Sequence, residues 1–339
     1  MSVRVAINGF GRVGRCALRS AYESEAAIEW AGINDVADVS TLAHLLRHDT
    51  VYGPFPGTVS VEGDALVVDG TMIPVHAATD PAQLPWRSAG VDIVLECTGR
   101  FRTRADAAKH LEAGARKVIL SAPGKDVDAT IVLGVNDEIY DPEAHDVISN
   151  ASCTTNCLAP VAKVLHETVG IRHGTMTTIH AVTGDQHVVD APHKDLRRAR
   201  ASGANIVPTT TGAAKAIGLV IPELAGKLRG YAARVPVLTG SLVDLTVELE
   251  RVATETELNE AFEAASAGAL AGILRLSDEP LVSSDVIKSP FSSVVDGGLT
   301  AVIGGTQAKV VAWYDNEWGY ATRLVELAER VGAAILAVA

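Results

Sequence analysis

The chain has 339 residues, 47% apolar and 21% charged, with a formal net charge of −12. That length supports two domains with sizeable cores, and the acidic balance argues against nucleic acid as the main partner while allowing a local basic patch that holds a small anion. Four cysteines without dense spacing fit free thiols in a reducing compartment, MSVRVAINGFGRVG enters a strand with no leader pattern, and no apolar run reaches transmembrane length, so a soluble cytoplasmic protein with no membrane partner is expected.

Residues 3–7 read as a short buried strand, followed by Gly9-Phe10-Gly11-Arg12-Val13-Gly14 in the G-x-G-x-x-G pattern. A helix from 15 to about 23 and a second strand at 28–33 come next, and the strand ends at Asn34-Asp35, with Asp35 twenty-one positions beyond Gly14. This order is the context a dinucleotide fingerprint requires: glycines for a tight turn and close approach to pyrophosphate, a helix N-terminus facing the phosphates, and a carboxylate for the ribose hydroxyls. Asp35 would repel a 2′-phosphate, which favours NAD and leaves NADP as the weaker alternative. Residues 51–74 read as an excursion from the main sheet with short β pieces at 58–61 and 65–68. Further strands are expected at 91–97, 117–120, 129–134 and 146–149. Thr98, Gly99 and Ser121 stand at strand ends, where ligands of open α/β sheets sit, although such residues also serve as ordinary turn chemistry. Cys97 reads as strand core and Cys16 as a helix residue against the sheet.

Ser149-Asn150-Ala151-Ser152-Cys153-Thr154-Thr155-Asn156-Cys157 then leads into an apolar run of helical spacing, Leu158, Val161, Ala162 and Leu165. The thiol of Cys153 is thereby expected at a helix N-terminus, where free N–H groups and the dipole stabilise a thiolate, the reactive form; a buried structural cysteine is the plainer reading. Residues 174–180 read as a β-branched strand ending at His180, which could be the base of a cysteine–histidine pair or a satisfied structural histidine. An irregular loop spans 182–206, with His193-Lys194-Asp195-Leu196-Arg197-Arg198-Ala199-Arg200 as a solvated basic segment or an anion site, and Thr209-Thr210-Thr211-Gly212 resembles an anion-cradling helix start. Arg234 lies among apolar residues and needs an anionic partner. Stretches 231–250 and 292–314 are β-rich, 254–272 reads as an alanine-rich helix, and an amphipathic helix ends the chain after Trp313-Tyr314-Asp315-Asn316-Glu317-Trp318-Gly319-Tyr320. No repeat or metal-ligand cluster is evident. The expected fold is α/β, with a Rossmann-type doubly wound parallel sheet over 1–151 and an α+β catalytic domain with a mostly antiparallel sheet over 152–315. The C-terminal helix, about 316–339, is expected to pack back onto the first domain.

Six segments taken together, AINGFGRVGR, SNASCTTNCLAP, TTIH, APHKDLRRAR, VPTTTGAAKA and WYDNEWGY, resemble those of the phosphorylating glyceraldehyde-3-phosphate dehydrogenases, in the family's order and over almost the whole chain. The resemblance implies oxidation of D-glyceraldehyde 3-phosphate with NAD and inorganic phosphate. Cys153 would form a hemithioacetal and then a thioester, with His180 taking the hydroxyl proton. It implies that Ser152, Thr154, Thr183, Arg198, Thr211, Gly212 and Arg234 bind phosphate groups. Gly9, Gly11, Arg12, Val13, Asp35, Thr98 and Ser121 would bind NAD, and Asn316 would hold the nicotinamide carboxamide and set the face that receives hydride. A homotetramer is implied, with the 182–206 loop reaching a neighbouring subunit's cofactor region. Departures from the family pattern are Thr79 where many members carry arginine, the mixed pair Ala191-Pro192, Val182 for a frequent tyrosine, and Val237-Leu238-Thr239-Gly240-Ser241 for a Thr-Pro-Asn-Val-Ser run. The alternatives are an erythrose-4-phosphate dehydrogenase, which releases a free acid, and a non-catalytic NAD-binding paralogue.

Overall fold

The computed structural model describes residues 2–338, and the chain divides into two compact units. One takes the residues up to Ile131, Glu138–Ala151 and the stretch from Ala321 on; the other takes Val132–Asp137 and Ser152–Tyr320.

The first unit contains β1 (Val3–Asn8), α1 (Arg12–Glu23), β2 (Ile28–Asn34), α2 (Val39–Arg47), β3 (Val59–Glu62), β4 (Ala65–Val68) and β5 (Thr71–His76). It continues through α3 (Trp86–Ala89), β6 (Ile93–Glu96), α4 (Arg104–Ala107), α5 (Lys109–Glu112), β7 (Lys117–Leu120), β8 (Ala129–Thr130) and β9 (Val147–Ser149). The strands form one sheet in the order β3-β4-β5-β2-β1-β6-β7-β9-β8. Every pairing from β5 to β8 is parallel, and the central strands are apolar on both faces, with Val5, Ile7, Ile93, Val94, Val118 and Ile119 fully buried, as a sheet covered on two sides requires. From Ala321 the last helix, α9 (Trp318–Val338), belongs to this unit: Thr322 Oγ1 lies 3.0 Å from Ser20 Oγ, and Glu329 accepts from the Ala27 N–H at 2.8 Å.

Three expectations need correction. The first helix begins at Arg12 instead of residue 15, so Val13 and Gly14 are helical. Residues 51–74 do not leave the sheet, because β3 and β4 continue it as an antiparallel meander that joins through β5, paired in parallel with β2 at Ile33↔Val75 and Asn34↔His76. The strand expected at 129–134 stops at Thr130: Asn136 Oδ1 accepts the Val132 N–H at 2.8 Å and Asp137 Oδ1 accepts the Gly134 N–H at 2.7 Å, so side-chain turns take over the backbone donors that a strand would use.

The second unit contains α6 (Cys153–Val169), β10 (Ile171–His180), β11 (Val207–Thr209), α7 (Ala213–Val220), β12 (Leu228–Arg234), β13 (Ser241–Leu249), α8 (Glu255–Ala267), β14 (Leu274–Ser277), β15 (Ser293–Asp296), β16 (Ala301–Ile303) and β17 (Gln307–Tyr314). The sheet runs β11-β12-β10-β13-β17-β15-β14, with β16 on β17; five pairings are antiparallel and two, β10 with β12 and β14 with β15, are parallel. Along β13 burial alternates strictly, Ser241, Val243, Leu245, Val247 and Leu249 facing the core. His180 ends β10 and pairs with Arg234, the end of β12, so register alone brings the two side by side. Short β11 and β14 are not anticipated from the sequence.

Candidate functional site

In the first unit a cavity of about 220 Å³ opens at the carboxyl ends of β1, β2 and β6. It is lined by Asn8, Gly9, Gly11, Asn34, Asp35 and Thr98, among others. Gly9 has φ +92°, and a Cβ there would lie 2.7 Å from Thr98 N; one on Gly14 would strike Gly9 O. These glycines are needed by the protein's own packing. Gly11 is different: its Cβ would meet nothing within 4 Å, and α1 behind it has no side-chain cap, so the start of the helix has space for an anion. The Asp35 carboxylate is fixed at the end of β2 by the N–H groups of Phe10, at 2.7 Å, and Ala37, at 3.0 Å. This arrangement fits a dinucleotide.

Under the cavity lies a closed polar chain. Glu96, 2% exposed, accepts from Asn8 Nδ2 at 2.5 Å, from Thr98 N at 2.8 Å and from Thr98 Oγ1, and His110 Nε2 stands at 3.2 Å. Trp86 Nε1 donates to His110 Nδ1 at 3.0 Å, which puts the ring proton on Nε2, facing Glu96. Asn34 Nδ2 donates to Asn8 Oδ1 at 2.7 Å and to Ala78 O at 2.9 Å. Three strand ends and the 77–79 turn are thereby tied to one buried carboxylate. Sequence reading missed this network because its members are spread from position 8 to 110 in unrelated motifs.

Not every expected cofactor residue lines the cavity. The Arg12 guanidinium pairs with Asp49 and stacks 5.4 Å from the Tyr52 ring, Val13 is the second residue of α1, and Ser121 follows β7 and hydrogen-bonds the Cys97 thiol. Cys97 itself is not core as expected: it is partly exposed at the cavity wall, with its thiol pushed up to about 12 by desolvation. Thr79 lines the cavity.

In the second unit Cys153 is the first residue of the seventeen-residue α6. Ser152 caps that helix, its Oγ accepting the Thr155 N–H at 3.0 Å. Cys153 Sγ lies 3.5 Å from His180 Nε2. Burial pushes the Cys153 thiol up, against the expectation of a freely formed thiolate, while the Arg234 charge, the Thr154 hydroxyl and the N–H groups of Thr154 and Cys153 draw it down. His180, 3% exposed, is pushed down to about 3, first by desolvation and then by the Arg234 charge. Its Nδ1 faces two groups that ask for opposite tautomers: Ala181 O at 2.7 Å wants a proton there, and Arg234 Nη1 at 2.6 Å wants a lone pair. The first leaves Nε2 as a base toward Sγ, and the second leaves it as a donor toward a thiolate. Tyr314 closes the floor, its hydroxyl 2.9 Å from both Thr154 Oγ1 and Thr178 Oγ1 and its ring edge-on to His180. Tyr314 lies within the Trp313–Tyr320 segment, and its place beside His180 comes from the tertiary contact.

Arg234 Nη1 also donates to Ala181 O at 3.0 Å, whereas its Nε is buried with no partner. Arg198 Nε donates to Thr209 Oγ1 at 2.9 Å and Nη1 to Asp185 Oδ2 at 2.6 Å, and Thr183 Oγ1 donates to the same carboxylate. Thr183, Arg198 and Arg234 thus gather around Asp185, whose carboxyl the arginines and Thr183 hold below the usual range despite desolvation. Thr211 Oγ1 accepts the Ala213 N–H at 3.2 Å at the start of α7, where Gly212 is the N-cap. Thr154 Oγ1 lies 2.9 Å from the Tyr314 hydroxyl, a contact that leaves the hydroxyl further hydrogen-bonding capacity. Asn316 accepts from Ser241 Oγ at 2.8 Å. Among the described residues no His, Cys, Asp and Glu cluster could hold a metal, and no helix is long and apolar enough to cross a membrane.

A Rossmann-type dinucleotide cavity in one unit and a cysteine–histidine pair at a helix N-terminus in the other are the parts of a nucleotide-dependent oxidoreductase. The family model for the NAD binding domain of glyceraldehyde 3-phosphate dehydrogenase matches residues 3–104, and that for the C-terminal domain matches 152–316. Glyceraldehyde-3-phosphate dehydrogenase of Geobacillus stearothermophilus is 58% identical over 333 residues, 98% of this chain and 99% of the relative. The enzymes of that name from Mycobacterium bovis, 57% identical over 341 residues (99% of this chain and 100% of the relative), and Streptomyces avermitilis, 55% over 332 (98% and 99%), are similar throughout. The chain belongs to the glyceraldehyde-3-phosphate dehydrogenase family.

Proposed function

We propose that this chain oxidises D-glyceraldehyde 3-phosphate with NAD and inorganic phosphate to 1,3-bisphosphoglycerate, with Cys153 as nucleophile and His180 as acid–base. The observation that carries the reading is the 3.5 Å approach of Cys153 Sγ to His180 Nε2 at the start of α6, in a chain of this family. Residues 1–151 with the last helix bind the dinucleotide, and 152–315 carry the chemistry. Gly9, Gly11, Arg12, Val13, Asp35, Thr98 and Ser121 hold NAD, with Asn316 on its carboxamide. Asp35 disfavours NADP by like charge.

Cys153 Sγ attacks the aldehyde carbon, and the new hydroxyl gives its proton to His180 Nε2. When bound, NAD supplies the hydride acceptor that takes the hemithioacetal to a thioester. The Cys153 N–H stabilises the oxyanion. A phosphate oxygen then attacks the thioester carbon, the C–S bond breaks, and the thiolate leaves toward His180. Ser152, Thr154, Thr183, Arg198, Thr211, Gly212 and Arg234 hold the two phosphate groups, and the unpartnered Arg234 Nε supports an anion there. The chain acts in the cytoplasm as a homotetramer, and the exposed Val188, Leu196 and Ile206 of the 182–206 loop suit an apolar contact with a neighbouring copy, which light scattering tests.

The deciding experiment follows NADH absorbance with glyceraldehyde 3-phosphate and NAD, with and without phosphate. Phosphate-dependent NADH formation is expected. Phosphate-independent release of a free acid would overturn the phosphorylating step in favour of hydrolysis, and NAD binding without turnover would overturn the enzyme reading.

A further inference from the structure

Two residues of the run Val237-Leu238-Thr239-Gly240-Ser241, Thr239 and Ser241, place their hydroxyls beside Asn316. Asp315 anchors the backbone there: its Oδ1 accepts from Glu317 N and Trp318 N, both at 2.9 Å, and its Oδ2 from Lys288 N at 2.8 Å. Thr239 has one hydroxyl proton, and Asp315 Oδ1 takes it at 2.9 Å, so its 3.3 Å approach to Asn316 Oδ1 adds no second donation. Ser241 Oγ is therefore the group that holds the Asn316 amide, donating to Oδ1 at 2.8 Å. The same oxygen accepts the Ala181 N–H at 3.0 Å, and Ala181 O in turn meets His180 Nδ1 and Arg234 Nη1. Ser241 is 1% exposed and is the first residue of β13, opposite Tyr314 in register, so backbone pairing fixes its position before the side chain engages.

We propose that Ser241 is a positioning residue that locks the Asn316 amide, with Oδ1 held and Nδ2 left for the cofactor, and ties it to the backbone of Ala181, whose N–H it accepts and whose carbonyl faces His180 Nδ1. The inference rests on the reading that Asn316 engages the nicotinamide carboxamide. One hydroxyl then sets both the ring face presented for hydride transfer and the seat of the acid–base group. A hydroxyl at 241 is required by this arrangement, whereas Thr239 serves the Asp315 anchor.

Calorimetric titration of the NAD-free protein with NAD, and NMR at nicotinamide C4 after turnover of C1-deuterated substrate, test this on Ser241→Ala, Ser241→Cys, Thr239→Val and Asn316→Ala. Ser241→Ala is expected to weaken NAD about tenfold and to place deuterium on both C4 faces. Asn316→Ala should do the same. Ser241→Cys, which keeps the shape but donates weakly, should fall between, and it carries the test if the alanine variant does not fold. Thr239→Val should stay within about twofold of wild type. If Asn316→Ala alters affinity and face selection while neither Ser241 variant does, the positioning role is overturned. If Asn316→Ala itself leaves both unchanged, the reading on which the role rests fails.

Discussion

Glu96 is a fully buried carboxyl and Arg234 a half-buried guanidinium, and the two units treat them in opposite ways. Glu96 is surrounded by donors from Asn8, Thr98 and His110, so every lone pair facing the interior has a use. Arg234 has Nη1 engaged and Nε buried without a partner, next to a histidine it depresses and a cysteine whose thiolate it favours. A saturated buried charge is scaffold, fixing strand ends so that a cavity keeps its shape. At Arg234 the open donor suits the anion site proposed above.

Substitutions sharpen that contrast. Cys153→Ser should lower NADH formation by at least about 10³-fold while leaving NAD affinity near wild type, because it removes the nucleophile without touching the first unit. His180→Asn is expected to lower turnover by about 10²–10⁴-fold and to move Cys153 alkylation by iodoacetamide to higher pH; unchanged alkylation would sink the pairing. Glu96→Ala should act on stability instead: it strands several donors, costing at least about 3 kcal/mol in urea unfolding, with Cys153 alkylation unaltered.

The depressed His180 gives a pH signature of known sign. Its folded pKa of about 3 lies below its ordinary 6.5, so on acidification the unfolded chain takes up this proton first. The contribution to stability is present above about 6.5 and is lost as pH falls towards 3, at up to about 1.4 kcal/mol per pH unit. His180→Gln should flatten that part of the stability curve, and an unchanged slope would show that other groups govern it. The smallest effect is expected at the cavity rim. Asp35→Asn should weaken NAD about tenfold by titration and improve NADP, narrowing the preference between them.

In the first unit the strand–helix–strand run was legible because its pattern is local: Gly9, Gly11 and Asp35 fall at fixed distances along it and line one cavity, whereas Arg12, Val13 and Ser121 do not line it. Cys153 and Ser152 were legible for the same reason, as cap and first residue of one helix. His180 could be placed at a strand end, but its neighbour Arg234 comes from the register of β10 with β12, which no local pattern encodes. The Tyr314, Ser241 and Glu96 contacts join residues far apart in the chain. The shortened strand after Thr130 was misread because Ile131, Val132 and Leu133 continue an apolar run while Asn136 and Asp137, farther on, capture the backbone donors.

The narrow attachment of the β3–β5 meander has a kinetic consequence. β5 pairs with β2 at two positions, whereas β1 pairs with β2 at six and with β6 at four. Amide hydrogen exchange should therefore divide the sheet. Amides of Ser60, Val61 and Leu66 should exchange through local opening, while those of Val5, Ile7 and Val94 wait for global unfolding. The sheet is continuous in its hydrogen bonding, and this exchange pattern would make it discontinuous in its cooperativity, the meander opening while the strands that end at the dinucleotide cavity stay closed.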